Sequence, residues 1–235
     1  MRPCFDTVEL LGVYLRRQQE KRAGWVSFRL KGQRTDAQLH ALLDQLLPMA
    51  QRSSRRIWRE RDGHTVTMTI RYRDGVRLAD AWRDHAQDKL SPKEQAVLAR
   101  TQEIVRMHPT LEQLQQYLAA HVCYENTRQG TVRYGEIVSC ITALEEGKAN
   151  CQGISDAMYL LGTLAGYRMG YQQGYNPQGA HLWNTVMLME KTYALDATFA
   201  LSCGDECAVT LDRQACIDRG LRWECWAEEK KITGD

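Results

Sequence analysis

Alternating and helical patterns of hydrophobic residues divide the first part of the chain into predicted elements. Over residues 65–72 hydrophobic and polar side chains alternate, which is typical of a strand with one buried face. Residues 25–30 also predict a strand, whereas the leucines over 39–47 recur at helical spacing. A further helix is predicted over 76–87, so the first 90 residues predict a small α+β unit.

A second series of predicted elements begins at Ser91, which precedes Pro92 and stands three residues before Glu94. This arrangement predicts a helix start with a serine cap and a capping box. One helix is expected to end near Met107 and another to follow it. We therefore expect two regions: residues 1–90 as an N-terminal α+β accessory region, and residues 91–235 as a core with a C-terminal extension.

Asn150 predicts the start of another helix, since asparagine is a favoured N-terminal cap. Hydrophobic residues follow on one stripe, and Gly166 predicts its end. Cys151 then lies in the first turn, where unpaired amide groups and the positive end of the helix dipole favour a thiolate. Gly153 allows a backbone or a substrate to approach closely. The alternative is a buried structural cysteine at a helix start.

Three strands are predicted after this helix, over 168–175, 181–189 and 192–197. A two-residue turn at Glu190-Lys191 would pair Thr185 with Asp196 and place His181 and Asp196 on one face. In that register the two lie four residues apart, roughly 13 Å at about 3.3 Å per residue. A hydrogen bond between them therefore requires a longer loop, a bulge or strong shear.

The chain thus carries a thiol, an imidazole and a carboxylate, in the order Cys151, His181, Asp196. These three groups are sufficient for acyl transfer in which the thiolate attacks, the imidazole carries the proton and the carboxylate orients the imidazole. Taken singly, each of the three residues is more often structural than catalytic.

The sequence motifs around these residues resemble the transglutaminase-like superfamily, especially its bacterial members, over about Glu112 to Phe199. The matching segments, in order, are Tyr124, Tyr134-Gly135, Gly147-Lys148-Ala149-Asn150-Cys151-Gln152-Gly153, His181-Leu182-Trp183-Asn184 and Asp196-Ala197-Thr198-Phe199. The chain departs from the usual pattern at Leu182, where Ala is usual, and at Phe199, where Trp is usual. Asn150 and Gln152 occupy variable or acidic positions of that pattern.

This resemblance implies a papain-like α+β core, in which a helix bearing the nucleophile packs on an antiparallel sheet that carries His and Asp. It implies Cys151 as nucleophile, His181 as general acid and base, and Asp196 as the orienting carboxylate. The backbone amide of Cys151, a side chain near Tyr134, Gln152 and Trp183 are candidates for binding the oxyanion or substrate. Trp183 is expected to pack beside the imidazole.

The resemblance also implies an amide of a protein or peptide as substrate, with no metal or organic cofactor. Water as acyl acceptor would give hydrolysis and an amine would give transfer, and the sequence leaves both open. The alternative is a catalytically silent binding or scaffolding module with the same fold.

The overall charge and hydropathy narrow the classes of partner. A formal net charge of +2 indicates no polyanionic partner. Five arginines lie over 52–61, beside Trp58. We expect them in a solvated helix end or loop rather than in a nucleic-acid site. No apolar run is long enough to span a membrane. Asp6 and Glu9 interrupt any signal-peptide core near the start of the sequence. Two locations remain open: the cytoplasm, or secretion after loss of a leader.

Four cysteines, Cys203, Cys207, Cys216 and Cys225, cluster near the end of the sequence. A zinc site, one or two disulfides, and free thiols are all compatible with their spacing, although no CxxC pair is present. Free thiols are the default expectation. The oligomeric state is not predicted.

Overall fold

The computed structural model describes residues 2–32, 34–51, 56–62, 64–125, 134–203 and 210–222. The described chain forms two compact units, which divide between Tyr72 and Arg73. This division lies earlier in the sequence than the boundary expected near residue 90. The helix after Arg73, which the sequence analysis placed in the accessory region, therefore belongs to the second unit.

The first unit is a four-stranded sheet with two helices. In chain order its elements are β1 (Cys4–Phe5), α1 (Val8–Glu20), β2 (Trp25–Leu30), α2 (Asp36–Leu46), β3 (Ile57–Arg59) and β4 (Thr65–Thr69). The strands are ordered β1-β2-β4-β3, with β1 parallel to β2 and the other neighbours antiparallel. The predicted strands and α2 are confirmed, whereas β3 forms a strand where a loop or helix end was expected.

The core of the first unit forms because β2 and β4 direct alternate side chains to one face. Val26 and Phe28 lie opposite Met68 and Val66, and all four are buried. Leucines of α1 and α2 join the same cluster. Apolar burial of this kind is the main stabilising contribution in a unit of this size.

The second unit contains seven α-helices and five strands among the described residues. Its helices are α3 (Asp74–Arg83), α4 (Pro92–Met107), α5 (Leu111–His121), α6 (Cys140–Glu146), α7 (Cys151–Leu164), α8 (Ala197–Cys203) and α9 (Arg213–Asp218). Its strands are β5 (Cys123–Tyr124), β6 (Lys148–Ala149), β7 (Arg168–Asn176), β8 (Gly179–Leu188) and β9 (Lys191–Leu195). The capping box predicted at Ser91 is present at the start of α4.

Helix α7 lies at the centre of the second unit, packed on β7 and β8 and contacted by α3, α4, α5 and α6. Almost every residue from Gly153 to Leu164 is buried, so the helix has no solvent-facing side in its middle. The sequence predicted a single apolar stripe, and Ser155 and Asp156 lie off that stripe. Both are buried polar residues with hydrogen-bond partners.

Strands β7, β8 and β9 form an antiparallel sheet in that order. The α+β class and the helix packed on an antiparallel sheet, both expected from the sequence, are confirmed. Among the helices that the structure describes, none is long and apolar enough to cross a membrane.

The turn between β8 and β9 lies at Met189-Glu190, and the register predicted from a turn at Glu190-Lys191 is wrong. Leu188 pairs with Lys191, and Thr185 pairs with Ala194 rather than Asp196. Met189 and Glu190 have φ values of 47° and 62°, the left-handed backbone of a type I′ turn. Neither is Gly or Asn, so the sequence carried no signal for this turn.

The start of α3 is held to α7 by one buried carboxylate. Oδ2 of Asp156 accepts the backbone amides of Gly75 and Cys140, each at 3.0 Å. These amides belong to the first turns of α3 and α6, whose N–H groups have no partner within their own helix. A Cβ at Gly75 would lie 2.5 Å from the Asp156 carbonyl oxygen, so glycine is needed for this approach.

Replacing Gly153 by Ala is expected to lower the free energy of unfolding by about 1–3 kcal/mol. The added Cβ would lie 2.6 Å from the Ile137 carbonyl oxygen and 2.9 Å from Cβ of Ala149. Urea unfolding followed by tryptophan fluorescence measures the change. The matched control is Gly135→Ala, where a Cβ meets nothing within 4 Å and a change within about 0.5 kcal/mol is expected. Equal losses in the two variants would contradict the packing at Gly153.

Candidate active site

Cys151 is the first residue of α7, and the cap predicted at Asn150 is present. Oδ1 of Asn150 accepts the amides of Gln152 at 2.9 Å and of Gly153 at 3.3 Å. The cap therefore uses the second and third amides of the helix and does not use that of Cys151. The Cys151 side chain is partly exposed, which suits a nucleophile that a substrate must reach.

Gly153 brings the segment before α6 against this first turn. A Cβ at Gly153 would lie only 2.6 Å from the Ile137 carbonyl oxygen, so glycine is needed at this position. Of the two expectations for Gly153, a neighbouring backbone and a substrate, the backbone is the one that occupies the space. Asn150 also donates its own amide to the Ile137 oxygen at 2.9 Å, which fixes the entry of the chain into α7.

His181 and Asp196 are in direct contact. Nε2 of His181 lies 2.8 Å from Oδ2 of Asp196, and both side chains are buried, at 4% and 6% exposure. The observed register, extended by one residue, places Asp196 opposite Trp183, so its offset from His181 is two residues, roughly 7 Å at about 3.3 Å per residue. Two side chains span that distance, and no bulge is needed.

Asp196 is itself held by the helix that follows it. Its second oxygen, Oδ1, accepts the amides of Thr198 at 3.1 Å and Phe199 at 3.3 Å. The residue therefore caps α8 with one oxygen and contacts the imidazole with the other. Because both oxygens are used, the carboxylate cannot rotate without losing one of these interactions.

The pKa of His181 is raised from its usual 6.5 to about 9. Burial lowers this pKa, but the hydrogen bonds that His181 makes to Asp196 and Cys151, together with the negative charge of those two groups, outweigh burial. Since Nε2 faces Asp196, Nδ1 is the ring nitrogen left for the Cys151 sulfur. The arrangement therefore favours a protonated imidazole beside the Cys151 sulfur at neutral pH.

Two buried polar residues fix α7 against β8. Oγ of Ser155 donates to the Leu182 carbonyl at 2.8 Å. Nδ2 of Asn184 donates to the Ser155 carbonyl at 3.0 Å and to the Gly170 carbonyl at 3.1 Å. Ser155 lies one helical turn after Cys151, and Leu182 adjoins His181. These bonds therefore set the position of the thiol relative to the imidazole.

Trp183 lies against the imidazole of His181. Its ring is stacked on His181 with centroids 5.7 Å apart and an angle of 26° between planes, and its side chain is fully buried. Gly174 lies opposite His181 in β7 and leaves space for the Trp183 indole. A Cβ at this position would lie 2.6 Å from the indole ring. The indole excludes water from one face of the ring.

Gln152, the residue after the cysteine, contacts an arginine that the sequence did not single out. Its Oε1 accepts from Nη1 of Arg73 at 3.3 Å. Tyr134 lies in a short 3-10 helix, Tyr134–Glu136, and its side chain lies outside the described residues.

Sequence reasoning also missed Asp156 and Ser155. The available signal was a pair of polar residues inside the apolar pattern of α7, since a buried polar group requires a partner. Burial raises the pKa of Asp156, while the charge of Arg73 and the hydrogen bonds from Cys140 and Tyr171 act against that rise.

Most of the C-terminal cysteine cluster lies outside the described residues. Cys207 and Cys225 lie outside those residues, as does the side chain of Cys203, whereas Cys216 is a buried free thiol. Over the ranges that the structure covers, no group of three or more His, Cys, Asp or Glu side chains could hold a metal ion.

Comparison with known proteins gives distant structural matches. No protein-family model matches the chain, and no curated protein matches it in sequence. The fold is similar to transglutaminase-like and cysteine-protease structures. One match is a protein described as a TGase, with 14% identity and a TM-score of 0.39, covering 74% of this chain. The chain spans only 50% of the length of that protein.

Two further matches have similar scores. LapG of Legionella pneumophila is 12% identical, with a TM-score of 0.39, and the match covers 68% of this chain and 92% of LapG. A proposed cysteine protease of Cytophaga hutchinsonii is 11% identical, with a TM-score of 0.38, over 85% of this chain and 74% of that protein. The likenesses are distant, so the chemistry of the site rests on its own residues.

The raised pKa of His181 predicts that stability falls with alkaline pH. The folded state favours the protonated imidazole of His181. The contribution of this protonated ring to stability is fully present below pH 6.5 and is lost as the pH rises through about 9. The free energy of unfolding should fall by up to about 3 kcal/mol over this window. Urea unfolding at a series of pH values measures it, and NMR of the His181 ring protons gives the midpoint.

The control for this titration is Asp196→Asn, which keeps the shape of the side chain but removes its charge. The midpoint of His181 should fall in this variant, and stability should depend less on pH. A wild-type midpoint near the ordinary value of 6.5 would contradict the assigned contact.

Proposed function

We propose that the protein is a cysteine enzyme that cleaves an amide of a protein or peptide and forms an acyl-enzyme on Cys151. The single observation that carries the proposal is the buried pair of His181 and Asp196, with Nε2 and Oδ2 at 2.8 Å, beside the thiol at the start of α7. A histidine whose pKa is shifted by a specific charged partner, beside a partly exposed thiol, is a candidate functional residue.

The first half of the reaction uses both partners of His181. The Cys151 thiolate attacks the carbonyl carbon of the amide, and the Nδ1 proton of His181 passes to the leaving nitrogen. The C–N bond breaks, ammonia or an amine leaves, and a thioester remains. Asp196 holds the ring orientation and stabilises the imidazolium through Nε2.

The second half returns the thiol. Neutral His181 takes a proton from the acceptor, the acceptor attacks the thioester carbonyl, and the sulfur leaves. With water the product is a carboxylic acid, and with an amine it is a new amide. The amide N–H of Cys151 and the side chain of Gln152 are the candidates that would stabilise the oxyanion in both halves.

A catalytically silent scaffolding module is the competing function. Such a module has no requirement for a charged imidazole beside a reachable thiol, so the contact of His181 with Asp196 favours the enzyme. The two functions differ in whether the thiol turns over substrate.

Replacing Cys151 by Ala is expected to abolish turnover of an amide library, because no other thiol adjoins His181 among the described residues. The library is assayed with and without an added primary amine, which separates hydrolysis from transfer. Iodoacetamide at neutral pH should label Cys151 faster than Cys123, an exposed free thiol.

The matched control is Cys123→Ser, which removes an exposed thiol of the same unit and should leave turnover unchanged. Labelling of Cys151 no faster than Cys123, together with no turnover of any amide by the wild type, would reject the enzyme and indicate the silent module.

A further inference from the structure

Both helices of the first unit pack on the same face of its sheet, the face that carries Val26 and Phe28. The opposite face carries the alternate side chains of each strand. On that face Ser27 of β2 pairs with Thr67 of β4, and Thr67 pairs with Trp58 of β3. Oγ of Ser27 lies 2.9 Å from Oγ1 of Thr67, so the three side chains form one row across the sheet.

Two exposed tryptophans lie on this second face. Trp25 stands two residues before Ser27 on β2 and is 67% exposed, and Trp58 of β3 is 50% exposed. Two strand spacings of about 4.8 Å and two residues of about 3.4 Å separate them, so their Cα atoms lie roughly 12 Å apart. The two rings are therefore separate contact positions on one surface. Large apolar side chains grouped on an exposed face are typical of a binding site.

The same face carries hydroxyl groups and positive charge between and beside the tryptophans. Thr69 of β4 pairs with Trp25, and its Oγ1 accepts the backbone amide of Arg56 at 3.2 Å. The exposed Arg56 therefore stands in the row of Thr69 and Trp25. Glu60, which continues β3, forms an ion pair with Arg2. The carboxylate on this face is thus already matched by a guanidinium, and Arg56 adds a further positive charge.

The charge of the chain is divided unevenly along the sequence. Residues 1–72 carry fourteen Lys and Arg against seven Asp and Glu, a formal balance of +7. The whole chain has a net charge of +2, so residues 73–235 carry a balance of −5. The expectation of no polyanionic partner used the sum for the whole chain. Taken by itself, the first unit has the charge that attracts a polyanion.

We propose that this face of the first unit binds single-stranded nucleic acid, with one base stacked on Trp25, another on Trp58, and a phosphate bound by Arg56. Aromatic side chains exposed on a sheet stack on unpaired bases, and arginine binds phosphate. An acidic protein segment also matches the positive charge, but only a nucleic acid combines a phosphate with a flat ring at every repeat. The proposal is independent of Cys151, because no residue of this face belongs to the candidate active site.

Fluorescence anisotropy of labelled twelve-nucleotide strands, one of deoxythymidine and one of uridine, tests the proposal on the full chain. Saturable binding of either strand is expected, and comparing the two shows whether DNA or RNA binds more tightly. Trp25→Ala and Trp58→Ala should each raise Kd at least about fivefold, since stacking of one base contributes about 1–3 kcal/mol. A duplex of the same length should bind more weakly, because its bases are already stacked on one another.

Control variants come from α1, on the other side of the sheet. Leu10→Ala removes an exposed apolar side chain there and should leave Kd within about twofold of the wild type. Trp25→Phe and Trp58→Phe keep an aromatic face, so each Kd should lie between those of the wild type and the alanine variant. Arg56→Ala should lower the salt dependence of log Kd by about one charge, whereas Arg17→Ala, on α1, should leave it unchanged.

Three results would each overturn the proposal. The first is no saturable binding of either strand at protein concentrations up to about 100 μM, the weak end of non-specific affinity. The second is equal Kd values for the wild type and both tryptophan-to-alanine variants, which would mean that charge alone attracts the strand. The third is tighter binding of polyglutamate than of either strand, which would identify an acidic protein as the partner.

Discussion

The position of α7 on the sheet is the constraint on which the candidate site depends. Ser155 donates to the Leu182 carbonyl, and Asn184 donates back to the Ser155 carbonyl. Apolar packing is not directional, so leucine and methionine contacts alone would tolerate a shift of the helix along the strands. Buried hydrogen bonds do not tolerate it, because a shift leaves polar groups without partners. The thiol therefore meets the imidazole at one place only.

Asp156, the next residue of α7, fixes the positions of α3 and α6 relative to α7. Its carboxylate accepts amides from the starts of α3 and α6, where the helix dipoles favour a negative charge. One residue thus joins three helices near Cys151. The hydrogen bond from Gly75 to Asp156 also explains why the segment from Arg73 onwards belongs to the second unit. In the sequence, this segment follows directly after the last strand of the first unit.

The features that were predicted well are those set by neighbouring residues. The caps at Ser91 and Asn150 and the helices after them follow from the side chains at those positions. Strands β2 and β4 follow from alternation. The turn at Met189-Glu190 was not predictable, because left-handed backbone at two ordinary residues is imposed by the pairing of β8 with β9. That error of register made His181 and Asp196 look too distant to interact.

The sequence by itself determined the three chemical groups, their order, and the location of the cysteine in a capped first turn, because capping and periodicity act over a few residues. Only the tertiary structure decided the contacts. His181 meets Asp196 through a turn that the sequence does not mark, and Arg73 meets Gln152 across 79 positions of the chain. Contacts between residues so far apart depend on how helices and strands pack together, and local patterns carry no information about that packing.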